Sequence, residues 1–368
     1  MSKPLVLIAA GGTGGHLFPA FSLSEELIRR GYDADLVTDV RSDQYGIDFP
    51  GGNIHHVPSA TLRGKSPAAV MKMLTTLARG VWTSKGLLSR IKPAAVVGFG
   101  GYPTVPPLLA ARLAGVPFVI HDANAVMGRA NRLLARFANV IAVTFDKTKY
   151  LRDADRSKTR IVGMPVRDAV IEAARPYRRR SGADTFNLLV FGGSQGARIF
   201  ADVVPGALAG LPQALRARLH VVQQVREEDM DRVKPIYETA GIKADLATFF
   251  PDLPNRMADA HLVVGRAGAS TVAELTVLGR PAILVPLPHA IDNDQLENAT
   301  RLQEVGGGWC IEQSNFTPER LRDEIDRLAG SHELLEKAAE AAVTIGEPRA
   351  VSRLADVVEE LVRGPARA

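Results

Sequence analysis

Ile8–His16 reads IAAGGTGGH, and Leu189–Arg198 reads LVFGGSQGAR. In each, a short apolar run stops at paired glycines and passes into a helical pattern, over Leu17–Arg30 and Ala197–Ala209. A glycine-rich turn at such a junction lets backbone N–H groups approach an anion at the positive end of the following helix. Neither stretch matches G-x-G-x-x-G, because Leu17 and Ser194 stand where glycine is needed, and no G-x-x-x-x-G-K-[ST] occurs. Dinucleotide-dehydrogenase and P-loop readings lose their main support.

The pattern extends outward from both turns. Strands are expected at Leu5–Ala10, Asp35–Thr38, Ala95–Gly98, Phe118–His121 and Val140–Val143. In the second half they are expected at Asn187–Phe191, Leu219–Val222, Ala247–Phe250, His261–Val264 and Ala282–Val285. Helical patterns such as Thr271–Leu278 separate most of them, which means parallel sheets covered on both faces. Two strand–glycine–helix units about 180 residues apart, in a chain of 368, predict an α/β protein of two Rossmann-like, doubly wound domains. The expected division is 1–166 and 167–368, with the final helix free to pack back on the first domain. Arg175–Gly182, rich in Arg and containing Pro176, reads as exposed connection.

Composition excludes more than it selects. Hydrophobic residues make up 46% and charged residues 23%, which removes disordered, collagen-like and coiled-coil classes. The single cysteine, Cys310, rules out an intrachain disulfide and a Cys-rich zinc site, and it fits a reducing cytosol. The net charge of +5 is unevenly placed: +10 up to Val166 and −5 beyond it. No Asp or Glu occurs between Asp48 and Asp122, a stretch holding eight Lys and Arg. The first half therefore calls for an anionic partner. Leu5–Ala10 is too short for a signal h-region, and glycines and prolines break the uncharged run Ala94–Ala111. No membrane-spanning segment is expected.

RAGASTVAE (Arg266–Glu274) follows an apolar run and opens a helix. Its small residues permit close ligand approach, and Glu274 is placed to accept hydrogen bonds from vicinal ribose hydroxyls or simply to balance the helix dipole. The polar loop PLPHAIDNDQLENA (Pro286–Ala299) comes after the next strand. His16 and His121 both stand at carboxyl ends of strands, the ligand edge of an open α/β sheet, as acid/base candidates. The triplets Asp33-Ala34-Asp35 and Asp153-Ala154-Asp155 are read as solvated charge, and no metal or other cofactor is expected.

Taken in order and spacing, GGTGGH, GGY (Gly100–Tyr102), H-x-x-N (121–124), GMPVR (Gly163–Arg167), GGSQGAR and R-x-G-A-x-T-x-x-E (266–274) resemble the MurG family. These are bacterial peripheral-membrane glycosyltransferases of peptidoglycan synthesis, and the resemblance spans nearly the whole chain. It implies a GT-B fold, two Rossmann-like domains facing across a cleft. It implies inverting transfer of N-acetylglucosamine from UDP-N-acetylglucosamine to the C4 hydroxyl of undecaprenyl-diphospho-N-acetylmuramoyl-pentapeptide, without a metal ion. The donor would lie mainly on the second domain and the acceptor lipid on the first.

By the same resemblance, Ser194 and Arg167 match diphosphate contacts, Glu274 the ribose ligand, and the backbone near Phe250 the uracil reader. Ala269, Ser270, Thr271, Val272 and Ala273 would line the nucleotide pocket. Gln295 and Asn124 match donor-sugar contacts, and Thr13, Gly14 and Gly15 would close over the reaction centre. His16 is the candidate base. HDAN (121–124) departs from the family's usual H-E-Q-N, which puts the catalytic role of Asp122 in question. Ala267 and Asp294 are smaller departures.

The basic stretch predicts a helix over Val70–Arg90. Val70, Leu74, Leu77, Val81 and Leu88 form its core stripe, with Lys72, Arg79 and Arg90 opposite and Met71 and Trp82 on the shoulder. A cationic face beside Trp and Met suits an anionic bilayer surface, here the cytoplasmic face of the bacterial inner membrane. Cell-wall synthesis or division proteins are further possible partners. The alternatives are another UDP-sugar transferase acting on a lipid acceptor, a UDP-N-acetylglucosamine 2-epimerase, or a catalytically degenerate lipid-binding scaffold. Nucleic acid is not expected as a partner, since no recognition module accompanies the basic half.

Overall fold

Continuous apolar runs too short for a helix become parallel strands covered on both faces. They do so in the computed structural model of this chain, which describes residues 3–11, 14–39, 49–59, 66–178, 184–193 and 196–364. Two units result, Met1–Arg167 with Pro348–Ala368, and Asp168–Glu347. The first runs β1 (Leu5–Ala9), α1 (Gly14–Arg29), β2 (Asp33–Thr38), β3 (Ile54–His56), α2 (Pro67–Ile91), β4 (Ala95–Gly98), α3 (Val105–Ala114), β5 (Phe118–Asp122), α4 (Arg129–Leu134), β6 (Val140–Val143) and β7 (Thr159–Ile161). The strands lie in the order β3-β2-β1-β4-β5-β6-β7, all parallel.

The second unit opens with α5 (Asp168–Ala173), β8 (Phe186–Phe191), α6 (Arg198–Ala209), α7 (Gln213–Arg216), β9 (Leu219–Gln224), α8 (Met230–Ala240) and β10 (Lys243–Ala247). It continues with α9 (Leu253–Asp259), β11 (Leu262–Gly265), α10 (Ala269–Leu278), β12 (Ala282–Leu284), α11 (Asp294–Glu304), β13 (Gly308–Cys310), α12 (Pro318–Ala329) and α13 (His332–Val343). The order β10-β9-β8-β11-β12-β13 repeats that of the first sheet from its third strand inward. In both sheets the direction of winding reverses beside the first strand, between β1 and β4 and between β8 and β11. Ligands of open α/β sheets bind at such switch points, beyond the carboxyl ends of the strands.

The expected strands omit β3, β7 and β13, each three residues long at a sheet edge. An edge strand is covered only in part, so burial imposes no apolar pattern on it. The same reason moves β10 to Lys243–Ala247 from the expected Ala247–Phe250, since its residues are mostly half-buried.

The structure divides the chain after Arg167, one residue later than expected, and returns everything from Pro348 onward to the first unit. The physical cause is the closing helix α14 (Ala350–Arg363). Its Leu354, Ala355, Val357 and Val358 join a core containing Leu17, Ala20, Leu23 and Leu27 of α1. Arg30 adds polar ties: Nη1 donates to Asp356 Oδ1 at 2.6 Å and Nη2 to the Ser352 carbonyl at 3.1 Å.

The described part of the Arg-rich connection is anchored rather than loose. Tyr177 donates its hydroxyl to the His261 carbonyl at 2.9 Å, and Arg175 pairs with Asp259 at 2.5 Å. The guanidinium of the buried Arg280 donates to the carbonyls of Arg175, Ala258, Leu278 and Gly279. Such a cluster satisfies a buried cation without a carboxylate in direct contact.

Helix α2 is seated by Gly80, where an added Cβ would lie 2.2 Å from the Pro58 carbonyl oxygen and 3.0 Å from Pro106 of α3. A backbone oxygen is not free to yield. Gly80→Ala is expected to destabilise the first unit by roughly 1–3 kcal/mol, despite alanine's better helix propensity. Thermal unfolding of the purified variant checks this; an unchanged midpoint would refute the close seating of α2.

Candidate active site

In the first unit the switch point is walled by backbone. Gly11 follows β1 and Gly100–Gly101 follow β4, with φ values of +87° and +78° at the latter two. An added Cβ on Gly101 would lie 3.3 Å from the Gly11 Cα, and one on Gly11 would lie 3.2 Å from the His16 ring. The His16 imidazole, in the first turn of α1, thus packs against three glycines. It is half-buried, and desolvation holds its pKa below the usual histidine range against an opposing hydrogen bond with Phe99 backbone. His16 is therefore predominantly neutral near pH 7 and able to accept a proton. Gly14 is buried and Gly15 exposed at the start of the same helix; Thr13 lies outside the described residues.

The two residues that end β5 turn out to be struts. His121 is buried, and its Nε2 pairs with the Gly163 carbonyl at 2.9 Å, where Nε2–H is the donor. Burial pushes its pKa down to about 4, so its imidazole stays neutral and committed. Asp122 is also buried. Its Oδ1 accepts from the Asn124 N–H at 3.2 Å, and its Oδ2 accepts from the Gly128 N–H and from Asn131 Nδ2, both at 2.9 Å. Asn131 Nδ2 also donates to the His121 carbonyl at 2.9 Å. The carboxylate considered for catalysis thus holds the turn that carries Asn124. Asn131, which sequence reasoning passed over, is part of the same network. Its sequence signal was slight, one amide between two arginines in the short helix α4.

Arg167 closes the first unit, with its guanidinium 5.0 Å over the Phe18 ring of α1. Its diphosphate role was expected alongside Ser194 in the second domain; the residue itself belongs to the first unit.

In the second unit, Gly192 and Gly193 leave β8, and Gly192 would place a Cβ 2.3 Å from the Ala197 nitrogen. Ser194 lies outside the described residues. Beside this turn, α10 begins at Ala269 after Gly268 in extended conformation, with no side-chain cap. First-turn N–H groups without intrahelical partners point to where an anion can sit. Ala269, Ser270, Thr271 and Ala273 are half-buried, and the Ser270 hydroxyl has no hydrogen-bond partner among the described residues. Val272 differs from its neighbours in the direction of its side chain. It is 2% exposed, because the helical rotation of about 100° per residue turns it into the core. Glu274 is largely buried one turn further on.

Two loops flank this helix start. Gln295 accepts the Leu287 N–H at 3.0 Å through Oε1, which leaves its amide N–H groups as what it can offer a ligand. The loop itself is strained: His289, Asp292 and Asn293 all have φ between +56° and +59°. Phe250 belongs to the turn before α9, its ring buried beneath the Arg256 guanidinium 4.6 Å from the centroid. Only its backbone is open to a role in recognition. A cavity of about 270 Å³ under α9, lined by Asn187, His220, Asp252, Asn255, Arg256 and Asp259, contains none of the expected site residues.

The acidic triplets are only in part the solvated charge expected: Asp33 and Asp153 are exposed, but Asp35 and Asp155 are buried. Asp35 accepts from the Asn53 N–H and pairs with His55, Asp153 pairs with Arg156, and Asp155 with Arg152 and Lys158. Among the described residues no group of three or more His, Cys, Asp and Glu is arranged to hold a metal ion.

Helix α2 presents the basic face, with Lys72, Arg79, Lys85 and Arg90 exposed and Trp82 79% exposed. Leu74 corrects the expected core stripe: it is 48% exposed, with Met71 exposed beside it. The two helices run parallel and meet at Gly80 and Pro106, in the first turn of α3. The α2 residues before Gly80 therefore have no counterpart on α3 to cover them. No helix among the described residues is long and apolar enough to cross a membrane.

Comparison with known proteins also finds two parts, although the second match runs on into α14 of the first unit. Residues 6–143 match the glycosyltransferase family 28 N-terminal domain and residues 187–361 the C-terminal domain of that family. A UDP-N-acetylglucosamine–N-acetylmuramyl-(pentapeptide) pyrophosphoryl-undecaprenol N-acetylglucosamine transferase of Bradyrhizobium sp. (strain BTAi1) is 52% identical over 97% of this chain and 98% of its own. A relative of the same name from Nitrobacter hamburgensis is 51% identical over 98% of each. Among solved structures, MurG of Acinetobacter baumannii superposes with a TM-score of 0.79 at 27% identity, covering 97% of this chain and 99% of the other.

The carboxyl of Asp122 is pushed up to about 6 by burial, the hydrogen bonds from Asn131, Gly128 and Asn124 opposing. Its contribution to stability is full below the unfolded value, about 4, and is lost as pH rises through about 6. Asp122→Asn removes this dependence and also sets an amide N–H₂ against one of the backbone N–H groups. The thermal midpoint of the wild type should fall relative to that of the variant between about pH 4 and pH 6.5. Parallel curves would show that Asp122 does not titrate there.

Proposed function

This chain belongs to glycosyltransferase family 28, and from that premise we propose that it is an inverting N-acetylglucosaminyltransferase of peptidoglycan synthesis. Its donor is UDP-N-acetylglucosamine, and its acceptor is the C4 hydroxyl of undecaprenyl-diphospho-N-acetylmuramoyl-pentapeptide. The observation that carries the reading is 52% identity over 97% of the chain to a transferase of that name.

Inversion by a single displacement needs a base for the acceptor hydroxyl and a sink for charge growing on the departing UDP. His16 is our assignment for the base, since its burial keeps the imidazole neutral at physiological pH. The sink is the start of α10 together with the glycine turn containing Ser194, aided by Arg167. Glu274 accepts from the ribose hydroxyls, and the backbone of Phe250 reads the uracil. Gln295 and Asn124 hold the donor sugar, and Thr13, Gly14 and Gly15 complete the reaction centre. Asp122 acts by positioning Asn124, through the Asn124 N–H it accepts.

Transfer of labelled N-acetylglucosamine from its UDP donor to the muramoyl lipid tests the reaction directly, with diacylglycerol as the contrasting acceptor. Product on diacylglycerol alone would overturn the acceptor assignment. His16→Ala should lower kcat by about 10²–10⁴-fold and leave UDP affinity within about twofold. Full turnover in that variant would reject the base assignment.

The membrane reading rests on α2. Exposed Trp82, Met71 and Leu74 bring apolar area, and Lys72, Arg79 and Arg90 bring charge, to one exposed helix. Near an anionic bilayer each cation contributes ~1 kcal/mol. The acceptor's lipid would then be met at the cytoplasmic surface where it is anchored. Reversing the charge of Lys72, Arg79 and Arg90 together should weaken binding to phosphatidylglycerol-containing vesicles at least about hundredfold, with UDP affinity unchanged. Equal vesicle binding would refute the assignment of this face.

A further inference from the structure

The side-chain amide of Gln224 uses both its N–H groups and its oxygen on two loops. It ends β9, half-buried. Its Oε1 accepts the Gly192 N–H at 2.9 Å, while its Nε2 donates to the Gly193 carbonyl at 3.0 Å and to the Thr248 carbonyl at 3.1 Å. Gly192 and Gly193 begin the glycine turn after β8, and Thr248 begins the turn after β10 that leads to Phe250.

These loops have no strand ladder to hold them together. Pairing of β8 with β9 ends at Val190 and Gln223, and pairing of β9 with β10 ends at Gln224 and Ala247, followed by one bond from the Val225 N–H to the Ala247 carbonyl. Beyond that point the three chains part, and Gln224 bridges the gap. The same segment also lies close to the far side of the glycine turn. The Arg226 stem lies where a Gly196 Cβ would come within 2.9 Å, at a φ of +66°.

We propose that Gln224 is a positioning residue for the nucleotide-sugar donor. It sets the spacing between the turn that takes the diphosphate and the turn whose backbone reads the base. The inference rests on the assignment of the UDP donor to this unit. Only a neutral amide meets the three demands, one acceptor and two donors. A glutamate there keeps the acceptor for Gly192 but turns a negative oxygen toward the carbonyls of Gly193 and Thr248. Once protonated, it regains one donor.

This chemistry separates positioning from general damage. UDP affinity is measured by titration calorimetry on the full chain, each variant being compared with wild type at the same pH. At about pH 8, Gln224→Ala and Gln224→Glu should each weaken UDP binding at least about tenfold, the loss of two or more hydrogen bonds. Donor KM should rise in step, while acceptor KM stays within about twofold. At about pH 5.5 the deficit of Gln224→Glu should shrink to about threefold or less, while that of Gln224→Ala persists, as the regained O–H requires. Wild-type affinity in both variants overturns the role of Gln224. A Gln224→Glu deficit that does not respond to pH overturns the hydrogen-bond account of it. Wild-type protein that binds no UDP removes the donor assignment itself, and the role of Gln224 with it.

Discussion

Everything at the candidate site depends on how closely backbone can approach backbone where the parallel strands part. At the switch point of each sheet the next crossover leaves in the opposite direction, which opens a crevice at the strand ends. Side chains at the first turn would fill that crevice. Gly101 lies against the Gly11 Cα, and Gly192 lies against the Ala197 nitrogen. With no Cβ in the way, the crevice is lined by N–H groups, and a helix start adds its own unpaired donors. A diphosphate leaving group needs such a surface, because its growing charge must be met by dipoles already in place.

The two units use one plan for different chemistry. In the first, the glycines enclose an imidazole and keep it neutral, which suits proton transfer. In the second, they stand beside an uncapped helix and a buried carboxylate, which suits a sugar nucleotide. Charge follows the same division. The residues up to Val166 carry +10 and the remainder −5, and part of that excess lies on an exposed helix with a tryptophan at its surface.

Buried polar side chains keep the loops in place. Asp122 and Asn131 hold the turn carrying Asn124, and His121 ties β5 to the chain at Gly163. The amide of the buried Asn298 donates to the Ala267 carbonyl, and Arg280 gathers the ends of α9 and α10. Most of their partners are backbone groups at the ends of strands and helices; Asp122 also accepts from the Asn131 side chain, while Asn131 Oδ1 and His121 Nδ1 have no partner among the described residues. Burial without such partners would cost about 1–3 kcal/mol for each group. The strained loop at His289–Asn293 lies next to Gln295, one of the residues assigned to the donor sugar.

The alternation of short apolar runs with amphipathic stretches determined the fold class from sequence alone, because only parallel sheets covered on both faces bury such runs. The paired glycines likewise marked the strand-to-helix turns after β1 and β8; that these turns stand at the switch points was decided by the strand order. Neighbours in a motif, however, do not share a fate. His121 and Asp122 stand inside HDAN, yet both are consumed by backbone partners up to 42 residues away in the chain. Leu74 has the period of a core residue and is exposed, because α3 begins too late to cover it. The edge strands and the return of α14 were likewise decided by what lies beside them in space. Sequence period reports which face of an element is apolar; only tertiary packing decides whether another element covers that face.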